Sequence, residues 1–144
     1  MHREHGVYTL ETLPNNILVT DAIGPWNLEL VQQYHNEVVK IVEGFNGAQW
    51  HNVAILRSET LFIPEVADYL KVHSQWRESS NVVSETVILK DSMSRFTSQE
   101  QIRVLFKGSP VPLFFAESID EAVENLHQLD RQTIFSRNNK STFN

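Results

Sequence analysis

The residues of this chain with the types and spacing for chemistry sit first in a short hinge. In "VAILRSETLFIP", residues 53–64, five strand-forming residues lead towards a proline suited to open a helix, and Ser58 and Thr60 lie between. A hydroxyl there is a nucleophile only beside a base and an oxyanion donor, or a phosphoacceptor when a kinase can reach it. The sequence has no GxSxG elbow, no P-loop and no GxGxxG turn, and its five glycines leave little backbone for cradling phosphates. Six histidines invite a search for metal ligands. His2 and His5 sit near the start, whereas His35, His51, His73 and His127 fall on different elements without HExxH or other paired spacing. His73, on the inward face of its helix beside Trp76, reads as a satisfied, partly buried histidine. The absence of cysteine excludes thiolate catalysis, disulfides and thiolate zinc sites. Among carboxylates, Glu59, Glu65 and Asp68 lie close in sequence, and Glu65 and Asp68 can share a helix face. Acidic residues in a first helical turn are nevertheless expected from the helix dipole alone. No catalytic constellation, cofactor site or metal site is expected.

The elements that position these residues alternate. "GVYTLET" (6–12) and "ILVTDAI" (17–23) read as strands joined by the turn "LPNN", and so short a link predicts antiparallel pairing. "GPWNLELVQQYHNEVVKIVEGFNG" carries Val31, Tyr34, Val38, Ile41, Val42 and Phe45 at helical spacing. Gly24 with Pro25, or Asn27, marks its start, and Gly44 and Gly47 mark its end. "WHNVAILR" (50–57) is a strand whose apolar run, Val53 to Leu56, predicts burial on both faces. A helix from Pro64 turns Val66, Tyr69, Leu70, His73 and Trp76 inward. The strand "VVSETVILK" (82–90) follows, then a short helix opened by the capping box "TSQE" (97–100) with Ile102, Leu105 and Phe106 inward. The strand "VPLFFA" (111–116) and a helix opened by "SIDE" (118–121), burying Ala122, Val123, Leu126 and Leu129, complete the order. The prediction is an α/β domain with a five-stranded, mostly parallel sheet, an antiparallel N-terminal strand at or near an edge, and about four helices.

The length suits a single domain, taken as residues 1–131 and followed by a polar tail, 132–144, in which Ile134 and Phe135 leave a last short helix open. Eighteen acidic against twelve basic side chains give a formal charge of −6, which repels phosphate backbones and argues against nucleic acid. With no signal-peptide pattern at "MHREHGVYTL" and no run of apolar residues long enough for a membrane span, a cytoplasmic location is expected.

The element order, with "FFAESIDEAVENL" as closing strand and helix and "GPWNLELV" opening the first helix, resembles the STAS and SpoIIAA-like families of small bacterial α/β domains over roughly residues 6 to 130. The resemblance implies a β-α superhelix, an architecture shared with lipid-carrying Sec14-like domains. It also implies a non-enzymatic regulatory module that binds another protein, a regulator or kinase-like partner. In anti-sigma factor antagonists of that family a serine after the third strand is phosphorylated within an Asp-Ser-Ser/Thr-Gly-like motif. The matching stretch here is "RSETLFIP", in which no Asp precedes Ser58 and no Gly follows, so Ser58 is a possible modification site outside the family pattern, and Thr60 a weaker one.

Ligands and partners of open α/β sheets favour the carboxyl ends of the strands. There the sequence places Trp26 and Asn27, then Ser58, Glu59, Leu61, Phe62 and Ile63, as the expected contact surface, with Lys90, Asp91 and Met93 nearby. The triplet Leu61–Phe62–Ile63 reads either as a lid over the core or as a contact patch. The alternative function is a small-molecule or lipid carrier, with Trp26, Trp50, Tyr69 and Trp76 around a cavity. A carrier requires an apolar pocket of about 300 Å³ or more, whereas a protein-binding module requires an exposed Phe62 or Trp26. The exposed edge at the N-terminal hairpin is compatible with a monomer or a homodimer.

Overall fold

The computed structural model describes residues 6–142, with side chains described through residue 132. His2 and His5 lie outside the described residues, as do the side chains that would dock the predicted polar tail. The elements are β1 (Val7–Leu13), β2 (Ile17–Ile23), α1 (Leu28–Glu43), β3 (Trp50–Arg57), α2 (Pro64–Ser79), β4 (Val82–Lys90), α3 (Arg95–Leu105), β5 (Leu113–Phe115) and α4 (Ile119–Thr142). The five strands lie in sequence order, with β1 antiparallel to β2 and every other pair parallel. This is the expected α/β architecture, with β1 at the edge and β3 in the centre.

Strand alternation sends successive side chains to opposite faces, so each strand feeds two cores. On one face Ile17, Val19, Val53, Ile55 and Ile88 pack against Ala122 and Leu126 of α4. On the other, Leu18, Trp50 and Val82 meet Val38 and Val42 of α1, while Ala22, Leu56, Val87 and Leu89 meet Val31, Val66 and Ile102 from three helices. Three helices therefore cover one face and α4 the other. Trp50 is completely buried, and its indole N–H donates to the Ser80 carbonyl at 2.9 Å, which satisfies its one polar atom.

The helix ends follow local chemistry, with two departures from expectation. Of the two starts considered for α1, Asn27 is the cap, its side chain accepting from the Leu30 N–H at 2.8 Å. Pro64 occupies the first turn of α2, where a missing N–H costs nothing. The first departure is α3, which starts at Arg95 after Ser94, so Thr97 lies inside the helix and does not cap it. The second is at α4. Ser118 Oγ accepts from the Glu121 N–H, as a capping box requires, but the Glu121 carboxylate takes the N–H of Glu117 instead of that of Ser118. The helical backbone of α4 continues through Ile134 and Phe135.

Because α4 covers its face alone, Leu126 has no substitute. Leu126→Ala is expected to cost about 2–5 kcal/mol, read as a lowered urea midpoint; an unchanged midpoint would show that α4 does not hold that core.

Candidate functional site

The loops after β2 and β3 are in contact. The Gly24 N–H donates to the Arg57 carbonyl at 3.2 Å, and a Cβ at position 24 would collide with the Glu59 carbonyl oxygen, so only glycine permits the approach. One step further along each loop, the rings of Trp26 and Phe62 pack with centroids 5.2 Å apart. The hinge is also tied to the loop after β4. Thr60 Oγ1 lies 2.6 Å from both Ser92 Oγ and Ser98 Oγ, and Thr60 and Ser98 are buried. The Gln101 side chain then clamps the Phe62 backbone, accepting from its N–H at 2.8 Å and donating to its carbonyl at 2.7 Å.

These bonds sort the hinge residues by role. The Thr60 hydroxyl is structural and out of a kinase's reach. Ser58 is exposed, holds a left-handed backbone at φ 66°, and donates its N–H to the Lys90 carbonyl. Phe62 turns inward and is half-buried and Trp26 is buried, so neither is the exposed aromatic expected of a protein-binding module, because the two rings pack on each other; Asn27 is occupied as a helix cap. Glu59, Leu61 and Ile63 face outward. Across the Thr60 tie, Met93 and Phe96 add two more outward side chains, with Phe96 76% exposed. The triplet is thus split, with its middle residue a lid and its outer two a surface.

Beneath Trp26 and Phe62 lies a cavity of about 100 Å³ between the sheet and α1, α2 and α3. Its walls are mostly apolar, and Tyr8, Thr20, Tyr34, Asn52, Arg77 and Glu85 contribute polar groups to its lining, together with the Trp26 indole N–H. Of the four aromatics considered as cavity lining, only Trp26 takes part; Trp50, Tyr69 and Trp76 belong to the surrounding cores. The volume lies below the 300 Å³ expected of a carrier.

The polar cluster is held by charge. Arg77 Nε sits 2.7 Å from Glu85 Oε1, with both side chains buried, although its N–H is not aligned on that oxygen. Asn52 Nδ2 donates to Glu85 Oε2 at 2.7 Å. Burial pushes the Glu85 carboxyl above its ordinary range, against the opposing pull of Arg77 and Asn52. Tyr34, whose hydroxyl lies 3.2 Å from Thr20 Oγ1, is likewise raised by burial and opposed by Arg77. Sequence reading missed this cluster, although signals existed. Asn52 and Glu85 are polar at inward-facing strand positions, and Arg77 continues the buried stripe of α2 four residues after His73.

The fold also pairs histidines that sequence spacing keeps apart. His35 Nδ1 lies 2.5 Å from His73 Nδ1, so one ring must donate and the other accept. His51 joins Ser84 to Asp130: its Nε2 lies 3.1 Å from the carboxylate, to which it can only donate, and its Nδ1 lies 2.7 Å from the Ser84 hydroxyl. The residue types match a serine-hydrolase triad, but Ser84 is completely buried, and the chain of bonds serves to anchor α4 to the sheet. Among the described residues no group of three or more His, Asp or Glu could hold a metal ion, and no helix is long and apolar enough to cross a membrane. Comparison with protein-family models, curated proteins and solved structures finds no match.

Burial, with help from Arg77 and His35, holds the His73 pKa far below its ordinary 6.5. The folded state then binds fewer protons than the unfolded chain below pH 6.5, so stability is fully present above that pH and lost as pH falls beneath it. Between pH 7.5 and 5.0 urea unfolding is expected to lose about 2 kcal/mol to His73, and His73→Leu to lose much less over the same interval. Equal pH slopes in the two proteins would contradict a buried neutral imidazole.

Proposed function

We propose that this domain is a cytoplasmic, non-enzymatic STAS/SpoIIAA-like regulatory module that binds another protein through the loops at the carboxyl ends of its strands. The observation that carries the reading is a set of four outward apolar side chains, Leu61 and Ile63 in the hinge after β3, Met93 in the loop after β4 and Phe96 in the first turn of α3. The Thr60 hydroxyl fixes the hinge to the other two segments. Exposed apolar residues gathered on ordered loops contribute little to folding and supply the desolvation that drives association. The partner is a regulator or kinase-like protein presenting an apolar patch of its own. Ser58 stands exposed in the same hinge, so a phosphate there would set about two negative charges beside the apolar contact and oppose docking.

Leu61→Asp with Phe96→Asp is expected to abolish capture of the partner from a native lysate while leaving the thermal midpoint within a few degrees of wild type. Undiminished capture would place the binding surface elsewhere. A Ser58→Glu variant should weaken the same capture, and Ser58→Ala should not.

A further inference from the structure

We propose that the cavity under Trp26 and Phe62 is a binding site for a small neutral hydroxyl compound, a phenol or short-chain alcohol, with its hydroxyl on Asn52 and its apolar body against the helices. The inference stands apart from the protein-binding reading, because it rests on the interior of the sheet–helix layer and not on the outward loop residues.

Three observations select the ligand class. The volume, about 100 Å³, is smaller than the closed cavity of about 150 Å³ that holds benzene, so it excludes an acyl chain and takes a short alcohol, or a phenol whose ring extends into the open mouth of the cavity. The walls supplied by Val31, Leu56, Val87 and Ile102 demand an apolar body. The polar end is set by Asn52, which is 2% exposed. Its Nδ2 is committed to Glu85, and its Oδ1 is buried without a hydrogen-bond partner in the lining of the cavity. A buried acceptor in that state calls for a donor. Trp26 Nε1, 9% exposed and also without a partner, is a donor at the loop end of the same cavity. Charge decides the rest. Arg77 and Glu85 face each other and neutralise one another, so a charged ligand would be desolvated with no net countercharge, while a neutral hydroxyl incurs a smaller desolvation cost that a hydrogen bond to Asn52 offsets.

The test is a titration of the uniformly ¹⁵N-labelled full chain with phenol, following the Trp26 indole N–H and the Asn52 side-chain amide, with toluene and benzoate as companions of similar size. Phenol is expected to give saturable shifts at both groups and to bind about fivefold or more tighter than toluene, the advantage of one satisfied buried acceptor. Asn52→Leu should erase that advantage, and Ala54→Leu, which fills the cavity, should abolish binding of both compounds. Equal affinities for phenol and toluene, no saturable shift with phenol, tighter binding of benzoate, or phenol binding that survives Ala54→Leu would each overturn the proposal. The Ala54→Leu arm keeps the test decisive if Asn52→Leu fails to fold.

Discussion

A buried ion pair sits at the centre of this molecule. Arg77, near the end of α2, reaches Glu85 in the middle of β4, and Asn52 of β3 holds the other carboxylate oxygen. Three elements meet at that point beneath the helical layer. Burying two charges costs several kcal/mol per ion before their attraction and hydrogen bonds offset it, so an apolar trio could serve stability equally well. What the pair supplies is position. It sets α2 against the sheet, and α2 in turn fixes the hinge from Arg57 to Ile63, which starts at the carboxyl end of β3.

From that anchor the rest of the candidate site follows in a chain of contacts. The hinge lies over Gly24 and packs Phe62 against Trp26 at the cavity that the ion pair also lines. The Thr60 hydroxyl carries the constraint to the loop after β4, and Gln101 carries it to α3. Rigid loops can present exposed apolar side chains without collapsing onto them. The opposite face of the sheet is organised separately, by α4 and by the Ser84–His51–Asp130 chain of hydrogen bonds. The two layers share the strands and little else.

Period and capping chemistry made the architecture legible in the sequence. The strands at 17–23, 50–57 and 82–90 match their observed bounds, and Pro64 marks the start of α2, because alternation and a first-turn proline are local signals. The start of α3 misled because Thr97 satisfies a capping pattern that Ser94 pre-empts three residues earlier. The site was legible only as a region. Sequence placed Trp26, Ser58, Leu61 and Phe62 at one end of the sheet, but the split between inward Phe62 and outward Leu61 and Ile63 depends on Gln101, 39 residues away. The pairings His35–His73, His51–Asp130 and Arg77–Glu85 join residues on different elements, so no local spacing encodes them.

The central claim is that Arg77 and Glu85 act as one unit. A double-mutant cycle read by urea unfolding tests it most directly, using Arg77→Met, Glu85→Leu and the combined variant. Each single change strands a buried charge and is predicted to cost about 3–5 kcal/mol, whereas the double variant returns to wild-type stability or above. Losses that simply add in the double variant would contradict the account.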